Sequence, residues 1–312
     1  MKNIILLIAF LATAFSASAQ YEAVFSHYNV SPILVNPSFA GYEESHRLQL
    51  NLRNQWTGFT NAPTTYAVSY NGPIGKTLGL GVGVLSESIA NITRYRFQLN
   101  YAFRYEIQDV KVAAGFSTEF QKFQLANSIL ENRLYQPGDF AITDAVDGRD
   151  VFDASVGVYA RIKDATFIGF AIPNLISERL ADIGGLPTAN DGRQFIFNFG
   201  HEFDLEAYNV KIEPSLMVRK VQNVPILIDF NLIGKFLDER LHAGLTYRAG
   251  TGGAVGIMLG TQVSNINIFY SYEVFFGAFQ QFNSGTHEVT VAFDFGGNKE
   301  TRFDRNTNNY RN

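Results

Sequence analysis

The sequence predicts an all-β fold, a transmembrane antiparallel β-barrel of about 14 strands, and three observations carry that expectation. First, large apolar residues alternate with polar ones over many segments of about 8 to 14 residues, the length a tilted strand needs to cross the hydrocarbon layer. Second, the composition is greasy yet interleaved. Charged residues make up only 17% of the 312 positions while 28 Phe and 15 Tyr raise the aromatics to 14%, against roughly 25% charged in a soluble domain. The mean hydropathy is still neutral at −0.03, so the apolar residues are not gathered into long membrane helices. Third, the connections sort by length: short turns follow even-numbered strands, and the two longest, 124–151 and 173–192, follow odd-numbered ones.

The near balance of 25 Lys and Arg against 29 Asp and Glu, a net charge of −4, lacks the basic excess of a nucleic-acid binder. There is no cysteine, which excludes a disulfide framework, a thiolate metal site and a cysteine nucleophile together.

Residues 1–19 read as a signal peptide. Lys2 precedes the apolar run Ile4 to Phe15, and Ser16-Ala17-Ser18-Ala19 supplies the small residues that signal peptidase accepts, with cleavage after Ala19. Residues 20–45 form an N-terminal segment, a candidate lumen plug or periplasmic element. Its prolines and Gly41 make it irregular. Tyr21, Phe25, Tyr28, Ile33, Leu34, Val35 and Phe39 make it too apolar for a free tail.

Residues 46–295 form the barrel, with strands near 46–56, 63–72, 78–87, 93–106, 110–123, 152–162, 165–172, 193–204, 209–220, 224–235, 240–249, 253–262, 266–276 and 286–295. Period-two patterning is clearest between Thr93 and Ile107. Tyr95, Phe97, Leu99, Tyr101, Phe103 and Tyr105 point one way and Arg94, Arg96, Gln98, Asn100 and Arg104 the other. By that parity Arg47, Arg53, Arg94, Arg96, Arg104, Glu119, Arg161, Glu202, Glu213, Arg219, Asp229, Arg248, Glu273 and Glu288 face the lumen. A mixed ion-pair network and an ion pathway both fit such residues; an ion-selective pore would want rings of one sign. Tyr66, Tyr70, Tyr159 and Tyr272 are candidates for aromatic girdles, and Trp56 shares the parity of Leu48, Leu50 and Leu52.

Gly79, Gly81 and Gly83 alternate with Leu80, Val82 and Val84. The spacing is wrong for a dinucleotide fingerprint, but it strips one strand face of side chains, a smooth lumen wall against which another piece of backbone lies. The stretch from Gln20 to Tyr42 is the candidate for that piece. The polar stretch 296–312 continues past the aromatic end of the last strand as a tail.

Neither catalytic residues nor a cofactor or metal site emerge. His27, His46, His201, His242 and His287 show no metal spacing and no partner serine motif. Asp144, Asp147, Asp150 and Asp153 recur every third residue, which misses the alternating order of a calcium loop.

Several blocks resemble one family. Asn36-Pro37-Ser38-Phe39-Ala40-Gly41, then Arg53-Asn54-Gln55-Trp56-Thr57-Gly58-Phe59 and Ala62-Pro63-Thr64-Thr65, resemble the opening of the PorP/SprF outer-membrane proteins associated with the type IX secretion system of Bacteroidota. Ile172-Pro173-Asn174-Leu175, Pro214-Ser215, Asp229-Phe230-Asn231, Gly244-Leu245-Thr246-Tyr247-Arg248 and Ser284-Gly285-Thr286-His287-Glu288 continue the resemblance in the family's order. Ser31-Pro32 departs from it, standing where the family pattern has Asn-Pro. The resemblance implies an outer-membrane barrel with a periplasmic N-terminus that serves secretion and gliding motility. Its implied partners are a type IX-secreted surface protein or adhesin, periplasmic or lipoprotein secretion components, and outer-membrane lipid. A passive channel or transporter for small or hydrophobic solutes is the alternative that the barrel itself allows.

Overall fold

The computed structural model describes residues 25–131, 140–176, 194–220, 225–250, 253–276 and 283–296. The expected signal peptide, the expected tail beyond Gly296 and most of the 173–192 connection lie outside the described residues.

The strands are β1 (His46–Asn54), β2 (Thr64–Ile74), β3 (Leu78–Ile89), β4 (Ile92–Ile107), β5 (Val110–Leu125), β6 (Arg149–Ile162), β7 (Thr166–Ile172), β8 (Phe195–His201), β9 (Phe203–Leu205), β10 (Val210–Lys220), β11 (Leu227–Phe236), β12 (Leu241–Ala249), β13 (Ala254–Val263), β14 (Ile266–Phe275) and β15 (Thr286–Phe295). A short helix, α1 (Phe140–Asp147), precedes β6. No helix among the described residues is long and apolar enough to cross a membrane. Every strand pairs antiparallel with its neighbours. β8 and β9 are one barrel strand interrupted at Glu202, since both pair with β10. The result is a closed barrel of fourteen strands, with β1 zipped to β15 from His46↔Phe295 to Asn54↔His287. Closure is what hydrocarbon demands, because an open edge would leave backbone N–H and C=O groups unpaired at several kcal/mol each.

The alternation in sequence becomes an oily outside and a polar inside. On β1, Leu50 is 54% exposed while Asn51 is 4% exposed. Val68, Phe97, Phe116, Phe152, Leu245 and Ile257 continue the outer belt, and Ser69, Ser117, Asp153 and Thr290 line the interior. One rim carries tight hairpins at 75–77, 108–109, 163–165, 206–209, 237–240 and 264–265. Gln108, Lys163, Asp164, Asn209 and Ser264 there adopt positive φ, a conformation that tight antiparallel turns use. The opposite rim carries the longer connections, including 55–63 and 126–148.

Register places a row of small residues straight across five strands. Gly79 pairs with Ala102, Ala102 with Gly115, Gly115 with Gly157, and Gly157 with Ala171. Against this row lies the 3-10 turn Pro37–Phe39, whose preceding Asn36 accepts at Oδ1 from the Ser38 N–H at 3.0 Å and the Ser38 hydroxyl at 2.6 Å. A Cβ at Gly79 would overlap the Ala40 carbonyl, one at Gly157 would overlap Asn36 Oδ1, and one at Gly115 would meet Ser38 Cα at 2.5 Å. Gly81 and Gly83 play no such part. They face the side chains of Asn100 and Gln98, so the expected backbone contact along β3 is confined to Gly79. The other contacts come from glycines on β5 and β6.

Two further expectations are corrected. Tyr159 points inwards at 3% exposure, packed edge-on against Phe39 and Tyr42, and is no girdle residue. Its parity with Arg161 accounts for this. β1 ends at Asn54 and Trp56 turns to φ 51°, so Trp56 leaves the strand instead of extending the row of Leu48, Leu50 and Leu52. Tyr66 and Tyr70 do face outwards.

A lipid-facing charge should be costly. Leu50→Arg is expected to destabilise the barrel by about 2–4 kcal/mol, read as a lowered denaturant midpoint for unfolding from lipid vesicles.

Candidate functional site

The lumen is the site, and its parts come from opposite ends of the chain. At its centre three guanidinium groups and three carboxylates alternate. Arg53 on β1 donates to Glu273 and Glu288, each at 2.7 Å, from strands β14 and β15. Glu273 also meets Arg248 of β12 at 3.3 Å, and Arg248 donates to Asp229 of β11 at 2.8 Å. Asp229 accepts in turn from Arg219 of β10 at 3.0 Å. All six side chains are buried. Each charge therefore has an opposite neighbour, which offsets the desolvation that would otherwise make a buried ion prohibitive.

The N-terminal segment docks onto this network. Ser26 donates through its hydroxyl to Glu273 at 2.5 Å and through its backbone N–H to Glu288 at 2.8 Å, while Arg53 donates to the Ser26 hydroxyl at 2.6 Å. The His27 ring bonds Thr290 at 2.7 Å. Tyr28 accepts from Asn231 at 2.7 Å, and Ser31 donates to Gln49. Apolar anchors assist, with Phe25 against Ala67 and Leu85 and Val30 against Ile233, Met258 and Phe269. At the turn rim Tyr42 donates to the Lys111 carbonyl at 2.9 Å, and Arg104 grips the carbonyls of Gly41 at 2.5 Å, Glu43 at 3.3 Å and Gly75 at 2.9 Å. Burial pushes the hydroxyl pKa of Tyr28 and Tyr42 upwards, so both stay protonated.

Most of the remaining inward charges among the described residues also have partners of opposite sign. Arg94 meets Glu87 at 3.4 Å and Arg96 meets Glu119 at 3.7 Å. Arg47 chelates Asp294 at 2.6 and 2.9 Å. Arg161 donates to the Tyr159 hydroxyl at 3.4 Å and lies over the Phe167 ring. Lys235 joins Glu202 at 2.6 Å and Glu213 at 2.8 Å, and Lys211 joins Glu202 at 3.0 Å. Along the lumen both signs alternate, the arrangement of a mixed network and not of a single-sign ring.

The motif-block residues divide into three places. Asn36, Pro37, Ala40 and Gly41 seat the turn on the small-residue row, with Asn36 also donating to the Val158 carbonyl at 3.1 Å. Arg53 lies in the charged network. Asn54 ends β1 opposite His287 and Thr64. Gln55 closes the loop through its backbone N–H to the Pro63 carbonyl at 2.9 Å. Trp56 stacks edge-on with Phe275. Thr57 clasps the approach to β15, exchanging backbone bonds with Gly285 at 2.8 Å and Ser284 at 2.6 Å. Gly58 at φ 99° makes the turn, and Phe59 sits 39% exposed on the loop rim. Sequence reading missed Ser26, His27, Glu87, Lys211 and Lys235 as lumen partners. Parity was available for the strand residues, but none existed for the irregular segment.

The family model described as type IX secretion system membrane protein PorP/SprF matches residues 17–293. No curated protein sequence matches the chain. Among solved structures, Omp33 of Acinetobacter baumannii aligns with 82% of this chain and 100% of its own at 9% identity and a TM-score of 0.50. The toluene transporter TbuX of Ralstonia pickettii aligns with 86% of this chain and 93% of its own at 10% identity and a TM-score of 0.51. At such identities these likenesses speak for the outer-membrane barrel fold alone.

Removing the hub of the network should be severe. Arg53→Met takes the guanidinium from Glu288 and leaves Glu273 with Arg248 alone, and is expected to cost about 3–5 kcal/mol. Combining it with Glu273→Gln and Glu288→Gln should recover much of that loss in denaturant titrations of the reconstituted barrel.

Proposed function

The chain belongs to the PorP/SprF family of type IX secretion system membrane proteins, and from that premise we propose that its barrel supports export or cell-surface anchoring of a type IX-secreted protein, an adhesin being the expected cargo. The turn rim faces the periplasm and the long connections face outwards, the usual distribution of loops on outer-membrane barrels. The periplasmic rim is then where lipoprotein or other secretion components dock, and the outer connections are where the exported protein is held.

Residues 25–42 act as a plug. The observation that carries this reading is the seating of the segment inside the lumen, from Ser26 on the Arg53 network to Tyr42 at the turn rim. A fourteen-strand barrel is wider than the eight-strand size that side chains alone can fill, and the segment occupies the surplus. With this orientation the described chain begins inside the lumen at Phe25 and descends to the periplasmic rim. A plugged barrel anchors and delivers through its rims, which suits retention of a surface protein better than steady solute uptake.

The connection between β5 and β6, with α1 at its end, is the designated holding element. Replacing residues 126–148 by a two-residue turn leaves both strands intact. It should release the partner adhesin into the culture medium while heat-modifiable barrel still accumulates in the outer membrane. Unchanged surface retention would remove the loop from the mechanism.

A further inference from the structure

The two halves of the N-terminal segment are held by different physics. Residues 36–42 are locked by shape, since Asn36, Ser38 and Ala40 touch glycines with no room for a Cβ. Ser38 is fully buried, and Arg104 fixes the far end of this half by backbone carbonyls. Residues 25–34 meet a wall of side chains instead. Their polar contacts are to Glu273, Glu288, Arg53, Arg47, Thr290, Asn231 and Gln49. The charged chain from Glu288 to Arg219 balances by itself and does not need the segment to complete it.

Small cavities flank this half along its length. One cavity lies between Ser26, His27 and Asn29 and the wall at Gly244 and Gly256. A second separates Ile33 and Leu34 from Gly83, Gln98 and Arg96, and a third adjoins Ser31 and Pro32 beside Arg47 and Gln49. Voids forfeit contact on one side, which lowers the cost of a local opening there. After Val35 comes Asn36-Pro37, where the fixed proline φ limits the swing of the joint.

We propose that residues 25–34 are a releasable stopper, whose departure opens a water-filled path for small polar solutes while residues 36–42 stay seated. This inference rests on the plug reading above and adds passage to it. The path so opened is lined by alternating guanidinium and carboxylate groups, so it passes small solutes of either charge sign without strong ion selectivity.

The absence of cysteine allows a direct test on the full chain in lipid bilayers. Ser31→Cys and Ser38→Cys, both at buried serines of the same segment, are exposed to a membrane-impermeant thiol reagent, and potassium chloride conductance is recorded in parallel. Cys at position 31 should react at least about tenfold faster than Cys at position 38, because it samples the open state. The wild-type barrel should show brief openings, and a chain lacking residues 20–34 should stay open. Equal rates at the two positions overturn the proposal. If the deletion opens the barrel while wild type stays silent and Cys at 31 stays protected, the plug stands and its release is refuted. If the deletion fails to raise conductance, the plug reading falls with it.

Discussion

Hydrocarbon offers no partner to a peptide group, and that single property of the solvent organises this molecule. Because an unmade backbone bond costs several kcal/mol in lipid, the sheet must close, and closing it joins β1 to β15 over nine residue pairs. Closure then sorts every strand residue into one of two environments. Leu50 and its neighbours meet acyl chains, and the polar set has nowhere to go but the interior. An interior lined by so many ionised groups must neutralise itself, hence the alternation of Arg53, Glu273, Arg248, Asp229 and Arg219. The segment that fills the remaining space inherits its contacts from that arrangement.

Two recognition principles meet in the lumen. One side is flat, made by small residues aligned across β3 to β7, and it accepts a backbone turn by shape. The other side is charged and accepts hydroxyl and amide groups by hydrogen bonding. Residues of the motif blocks serve both. Asn36 caps the turn and reaches Val158, while Arg53 draws together the strands where the chain begins and ends.

Much of this was legible in the residues themselves. Period two in β4 set the inward side of Arg94, Arg96 and Arg104 without any knowledge of neighbours. The strand boundaries came from turn residues such as Gln108-Asp109 and Lys163-Asp164. What could not be read was anything that depends on register between strands. Gly79, Gly115 and Gly157 are far apart in sequence, and only hydrogen-bonded pairing shows that they form one row. Gly81 and Gly83, closer in sequence to Gly79, fall outside it. Tyr159 was misplaced because a general preference of tyrosine for membrane interfaces was allowed to outrank its parity with Arg161. Ser26 and His27 belong to an irregular segment with no period, so nothing in their spacing announced the acids they meet.

The seam between β1 and β15 has a temporal meaning. Its two strands are about 240 residues apart in the chain, so the cylinder is completed by the most distant contact available, the kind whose loop entropy makes assembly slow. Until translation and transit have delivered Phe295, strand edges remain unmated and prone to aggregate. The enclosure that surrounds residues 25–42 is likewise incomplete until β1 meets β15, so the last strand to be made finishes the surroundings of the first residues described.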